Sequence, residues 1–307
     1  MTKNDKLVKS ISHYSNQIGG FAAQHGNLIA SCDGVGTKIL LAQLAKKAFK
    51  RPLTTIGVDC VAMVVNDLLC GGGEPLFFLD YFCSANVNEE EFNEVLEGIY
   101  FGCSQAGMEL IGGETAELPG IIEKDTFDVC GFGVGRITDK LPKTDTMKAG
   151  DIMVGLPSSG FHSNGYTLIR KQLRGIIDKD FVDKLLEPTI IYKSEIDALK
   201  KEGIEIKGLA HITGGGFNNV NRILPDNLYA DIRLYNPALN EQSEYRFFRH
   251  QELFKWIQKK AELTKKEMME TFNCGVGMVV IVPENSDWKH LSHVLKDHLI
   301  IGKLEEK

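Results

Sequence analysis

Apolar and polar positions run in alternating blocks along the first half of the chain. Short apolar runs at 28–32 (LIASC), 54–58 (TTIGV) and 75–84 (PLFFLDYFCS) predict strands. Between them, 39–49 (ILLAQLAKKAF) and 60–69 (CVAMVVNDLL) predict helices, the second apolar almost all round and therefore buried. Over 89–107, Phe92, Val95, Leu96 and Ile99 recur at helical spacing and Gly107 supplies the stop. FDVCGFGVGRI (127–137) predicts a strand whose glycines mark a bulge or close packing. The stretch 141–151 is polar, rich in turn residues and without apolar period, which predicts a domain boundary. Beyond it the pattern predicts strands at 151–158, 209–213 and 278–283, a helix near 166–173, and a helix over FNNVNRIL stopped by Pro225. Strands and helices mix throughout, so the expected class is α+β: two mixed α/β domains, 1–145 and 146–307.

Composition narrows the picture. A chain of 307 residues exceeds what one core usually serves. A net charge of −6 lacks the basic face of a nucleic-acid binder, yet leaves room for a phosphate ligand held by local groups. No apolar run reaches the length of a membrane span, and MTKNDKLVKSISHYS contains no secretory apolar core, so a cytoplasmic protein without membrane partners is expected. Seven scattered cysteines form no C-x-x-C pair and read as buried free thiols.

Five segments carry candidate chemistry. In DGVGTK (33–38), Asp33 can ligate Mg²⁺, Gly34 and Gly36 free the backbone, and Thr37 and Lys38 add a hydroxyl and a cation near a helix start. The spacing is that of neither a P-loop nor a dinucleotide fingerprint, and a turn with Asp33 as cap explains it equally well. Asp59 follows a predicted strand end, where open sheets bind ligands. Asn66 and Asp67 sit inside a very apolar helix, where a carboxylate is costly unless paired or bound to metal. In LIGGETAELPG (110–120), Gly112 and Gly113 follow a predicted strand and let backbone approach a ligand. Glu114 and Glu117 then stand where a cation could hold a phosphate, although a turn and helix start give the same pattern. SSGFHSNG (158–165) and AHITGGG (210–216) place His162 and His211 on Gly-rich loops that offer hydroxyls and amides to an oxyanion. Either histidine could carry protons or donate to developing charge. His13, His25, His250, His290, His293 and His298 read as structural. Phosphate-friendly segments in both halves imply one composite site for more than one phosphate, and hence an Mg²⁺-dependent phosphoryl-transfer or ATP-activated ligation enzyme.

The ordered set DGVGTK, VAMVVND, EPLFFLDYF, LIGGETAELPG, SSGFHSNGY, LLEPTIIY, AHITGGG and TFNCGVGM resembles the phosphoribosylformylglycinamidine cyclo-ligases, also called aminoimidazole ribonucleotide synthetases, over nearly the whole chain. The resemblance implies ATP and Mg²⁺ as cofactors and ring closure of a small phosphorylated substrate, formylglycinamidine ribonucleotide. It implies two mixed α/β domains and a homodimer through the N-terminal halves. It assigns Asp33, Asp59, Asp67 and Glu114 to Mg²⁺ and the ATP phosphates, with Lys38 assisting and Gly112, Gly113, Thr115, Glu117 and Asn66 shaping the same wall. His162, Ser163, Asn164, His211, Thr213, Gly214 and Gly215 would face the substrate phosphate and the reacting amidine. Members of that family carry a Tyr-Lys-Asp-Ala-Gly-Val-Asp segment that folds over the nucleotide. MTKNDKLVKS, with Lys3, Lys6 and Lys9, does not match it, a departure from the family pattern at the lid and part of the nucleotide site. The alternatives are a non-catalytic homologue that binds nucleotide or an enzyme partner, and a superfamily kinase or ligase acting on another phosphorylated amide.

Overall fold

The computed structural model of the chain describes residues 20–173, 178–234, 250–295 and 297–307. The expectations for Lys3, Lys6, Lys9 and His13 fall outside them. Two five-stranded sheets carry the described fold. The first is ordered β1 (Ala23–His25), β2 (Leu28–Gly34), β5 (Phe127–Ile137), β3 (Gly73–Ser84) and β4 (Glu109–Glu117). Its pairs are antiparallel except β3 with β4, which are parallel. The second is antiparallel throughout and ordered β7 (Gly208–His211), β9 (Val276–Val282), β6 (Ile152–Pro157), β10 (Leu299–Glu306) and β8 (Leu228–Ile232).

Helix α1 (Lys38–Phe49) follows β2, and α2 (Thr54–Cys70) runs from there to β3. Helix α3 (Glu89–Ala106) is the crossover that parallel β3 and β4 require. The Asn88 side chain accepts from the amides of Glu90 and Glu91 at its start, and Gly107 closes it with φ of 65°. The run 54–58, expected as a strand, is instead the first turn and a half of α2. Its β-branched residues favour a strand locally, but a helix crossing overrides them. A Cβ on Gly57 would lie 2.0 Å from the Val95 carbonyl oxygen, and one on Gly98 would lie 1.9 Å from that of Thr54. The two glycines let α2 and α3 touch backbone to backbone. Asp59 therefore sits within a helix, not after a strand.

Helix α2 packs on β2, β3 and β5 on one side, on α3 on another, and reaches β7 of the second sheet. This explains why thirteen of its seventeen residues are buried. The segment 110–120 also differs from expectation. Gly112 and Gly113 lie within β4, which continues through Glu117 before the turn at Pro119. FNNVNRIL forms the 3₁₀ helix Gly216–Ile223 rather than an α-helix. No helix among the described residues is long and apolar enough to cross a membrane. All seven cysteines are free, and five are buried; Cys32, contrary to expectation, is exposed and Cys130 is half-buried.

Candidate active site

The stretch 186–192, which joins α4 (Lys179–Leu185) to α5 (Lys193–Lys201), packs against the first half of the chain. Polar side chains of the first half hold this stretch by its backbone. Asp59 Oδ1 accepts from both the amide and the hydroxyl of Thr189, each at 2.7 Å. Lys38 Nζ donates to the Glu187 carbonyl at 2.7 Å and pairs with Asp59 Oδ2 at 2.7 Å, both side chains being wholly enclosed. Arg51 pairs with Asp183 at 3.0 Å and donates to the Leu186 carbonyl. Asn66 donates to the Ile190 carbonyl at 2.8 Å and accepts from the Tyr192 amide at 3.1 Å. Burial pushes the Lys38 ammonium below its usual range, and the charge of Asp59 opposes that push. Asp59 and Lys38 were expected at the metal and the phosphates. In the structure they sit in a buried clamp, with Asp59 Oδ1 taken by Thr189 and Oδ2 facing the Lys38 ammonium.

Beside the clamp, a second group of residues remains open. Asp33 ends β2 and takes the Gly34 amide on Oδ1 at 2.8 Å. Asp67, near the end of α2, meets His211 Nδ1 at 3.0 Å, while His211 Nε2 faces Asn66 Nδ2 at 3.4 Å. Because the Asn66 amide is a donor there, the His211 proton lies on Nδ1 and points at Asp67. His211 itself is fully buried. Burial, then the charge of Asp67, push the Asp33 carboxyl above the usual 3.8. Two carboxylates sharing a space with too little positive charge is the setting that a hard cation relieves.

The loop 158–165 borders this group. His162 is buried with φ of 59° and accepts the Ser159 amide on Nε2 at 3.2 Å. Its proton must then be on Nδ1, which is buried and lacks a partner among the described residues. Asn164 Nδ2 is a second buried donor in the same condition. Native proteins rarely leave such groups orphaned, so both mark where a ligand would accept. A Cβ on Gly214 would lie 3.4 Å from Asn164 Oδ1, so this loop and the 213–216 turn, with Thr213 and Gly215, are adjacent. Ser163 exchanges a hydrogen bond with Thr189 at 3.1 Å, and Thr37 does so with Thr167 at 3.1 Å. Burial, with the nearby His211 and Lys38, drives the His162 pKa well below 6.5, which keeps the ring neutral.

Glu114 does not join these residues within one chain. Strand pairing puts Asp33, Gly131, Asp80 and Gly113 in one row across the sheet, all on the face toward α2. Glu114 is in the next row, opposite Tyr81, and projects from the other face. Three strand spacings separate it from Asp33, about 14 Å. Its Oε1 accepts the Thr115 amide, and Glu117 Oε1 accepts the Val87 amide. Gly34 and Gly36 flank the end of β2 close to Asp33. Among the described residues no group of three or more His, Cys, Asp or Glu is placed to hold a metal by itself. Sequence reasoning did not single out Thr189, Tyr192 or Arg222. The first two lie in LLEPTIIY, an apolar-looking run whose function is in its backbone polar groups, which side-chain patterns do not reveal.

Comparison with known proteins fits this arrangement. Residues 17–137 match the N-terminal domain of the AIR synthase related proteins, and residues 148–307 match the C-terminal domain. The phosphoribosylformylglycinamidine cyclo-ligase of Alkaliphilus oremlandii is 43% identical over 295 residues, covering 91% of this chain and 82% of that protein. The enzyme of the same name from Thermoanaerobacter sp. strain X514 is 42% identical over 336 residues, covering 99% and 95%. Among solved structures, AaThiL complexed with AMPPCP and TMP shares the fold, with a TM-score of 0.68 at 14% identity over all of this chain and 93% of that one. The chain belongs to the phosphoribosylformylglycinamidine cyclo-ligase family.

Proposed function

We propose that the chain converts formylglycinamidine ribonucleotide to aminoimidazole ribonucleotide, with ATP going to ADP and phosphate. The observation that carries this reading within the family is the pairing of opposite features at the seam. Two carboxylates, Asp33 and Asp67, face a shared space, and two buried donors, His162 Nδ1 and Asn164 Nδ2, lack partners among the described residues beside it. The chemistry needs both. A formamide carbon is a poor electrophile and its oxygen a poor leaving group. Transfer of the γ-phosphoryl group to that oxygen removes both defects, and the ribose-bearing nitrogen then bonds to the carbon as phosphate departs.

Asp33 and Asp67 fit Mg²⁺, since they supply hard oxygen donors with unmet negative charge. Bound there, the ion would neutralise charge on the transferred phosphoryl group. Asp67 is held in place by His211, which Asn66 orients in turn, so His211 positions a ligand rather than shuttling protons. Neutral His162 serves as a hydrogen-bond donor from Nδ1 to an oxygen of the bound substrate, with Asn164 alongside. The 213–216 turn adds backbone amides beside them. Enclosure by the 158–165 loop folds the substrate and keeps water from the activated carbon.

A homodimer and a cytoplasmic setting complete the proposal. The outer face of the first sheet exposes Leu28, Tyr81, Ile111 and Phe132, an apolar face suited to a second copy. Glu114 projects from that face, so a second copy could bring it to a site from which it is remote in its own chain. Residues 1–145 would form the nucleotide and dimer side, and 146–307 the substrate side. Seven free cysteines suit a reducing compartment. The test is ADP release with ATP and Mg²⁺, with and without formylglycinamidine ribonucleotide. ADP that depends on substrate and matches the aminoimidazole product one to one supports the reading. Folded protein that binds ATP without turnover points to the non-catalytic homologue.

A further inference from the structure

Arg222 lies near the end of the 3₁₀ helix Gly216–Ile223, exposed, yet held in a defined position. Its guanidinium sits over the Phe21 ring, 5.4 Å from the centroid, and Nη1 donates to the Gly20 carbonyl at 3.5 Å. The main chain joins in, since a Cβ on Gly20 would lie 3.0 Å from the Arg222 carbonyl oxygen. Gly20 and Phe21 lead into β1, which pairs with β2 in the register Ala23 with Ala30. The pairing ends at Ala23, and β2 continues past its partner Ala30 to Asp33. The same 3₁₀ helix follows β7, whose His211 contacts Asp67. Arg222 thus approaches the two carboxylates from the second half of the chain, while its anchors come from the first. Its charge lowers the Asp33 pKa, against the larger effects of burial and Asp67. No carboxylate lies within ion-pair distance of Arg222 among the described residues.

A guanidinium aimed by an aromatic ring near a carboxylate pair, and paired with no carboxylate among the described residues, keeps donors besides the Nη1 bond to Gly20 for another acceptor. Guanidinium donors match phosphate oxygens in a planar fork, which an ammonium cannot do. Carboxylates that hold a divalent cation draw in a polyphosphate, whose oxygens a neighbouring guanidinium can bind. We propose that Arg222 is a nucleotide-binding residue of this site, donating to phosphate oxygens of ATP beside Asp33 and Asp67, with Phe21 as the platform that aims it. This rests on the cyclo-ligase reading for the identity of the nucleotide.

The experiment measures the affinity for Mg²⁺–ATP by calorimetry without the second substrate, then KM and kcat for both substrates. The proteins are wild type, Arg222→Ala, Arg222→Lys and Phe21→Leu. Loss of a charge-assisted contact weakens ATP binding by about 10- to 100-fold in Arg222→Ala. Arg222→Lys recovers only part, and Phe21→Leu shows a smaller loss in the same direction. KM for formylglycinamidine ribonucleotide stays near wild type. Unchanged ATP affinity in Arg222→Ala overturns the proposal, as does a loss confined to the second substrate. If Arg222→Ala does not fold, Arg222→Lys and Phe21→Leu decide by the same criterion, because both retain the bulk that packs there. Wild-type protein that binds ATP but forms no aminoimidazole product would defeat the functional reading while leaving the Arg222 comparison intact.

Discussion

Asp33 shows how a single residue can be costly to the fold and necessary to the site. Its carboxyl is raised above 3.8 by burial first and Asp67 second. A raised folded pKa favours the protonated form, so its stabilising effect is complete below the ordinary value and lost as pH rises through the raised one. At neutral pH the ionised group therefore costs stability. Asp33→Asn is predicted to keep or raise the melting temperature at pH 7 while Mg²⁺-dependent ATP turnover falls about 10²-fold or more, the scale of losing one charge stabiliser. Melting curves and ADP release on the same sample check both halves, and a large drop in Tm would mark Asp33 as structural. His162 has the opposite sign. Its folded pKa is depressed below 6.5 by burial, so its contribution is present above 6.5 and lost as pH falls below it. Replacing it by Asn should flatten the acid side of a Tm-against-pH curve below pH 6.5; an unaltered curve would mean the ring is not held neutral. Asp33, Asp67, His162 and His211 stood out in the sequence because a charged or polar group beside glycines and apolar runs is conspicuous, although His211 ends strand β7 rather than lying on a loop. Arg222 was not, since an arginine on a short helix is ordinary until Phe21, about two hundred positions earlier, comes beneath it.

At the scale of elements, α2 does the joining. One face packs on the first sheet, and its polar residues Asp59 and Asn66 reach across to the 186–192 stretch. Breaking a buried pair leaves an uncompensated charge, so Lys38→Ala is predicted to cost about 3–5 kcal/mol. The double variant Lys38→Met with Asp59→Asn keeps an acceptor for Thr189 and should recover most of that loss, as measured by denaturant unfolding. Were Lys38 catalytic instead, the double variant would be stable but inactive. Retained turnover in it supports the clamp. Most elements could be read from periodicity, and the exceptions have physical causes. The 54–58 run is helical because Gly57 and Gly98 let two helices close on one another. The 110–120 segment is strand through its glycines because β3 supplies a parallel partner, which local turn signals cannot anticipate.

Among the described residues, the first sheet presents an apolar outer face that nothing covers. Leu28, Tyr81, Ile111 and Phe132 lie on it, exposed by 38–51%. Sedimentation is predicted to give twice the chain mass of 34.1 kDa, and Phe132→Glu to shift the protein to the single-chain mass. A wild-type protein that sediments as one chain at micromolar concentration would contradict the proposed pairing. That face also explains why Glu114 could not be placed from sequence. Its motif names the residue but not the side of the sheet, which depends on a register set by strand pairing.

The central claim is that ATP activates the formyl oxygen, and isotope transfer tests it most directly. Formylglycinamidine ribonucleotide carrying ¹⁸O at the formyl position is turned over with ATP and Mg²⁺, and the released phosphate is analysed by mass. The account predicts one labelled oxygen in each phosphate formed, in step with aminoimidazole product. Unlabelled phosphate, with the heavy oxygen recovered in water, would contradict it.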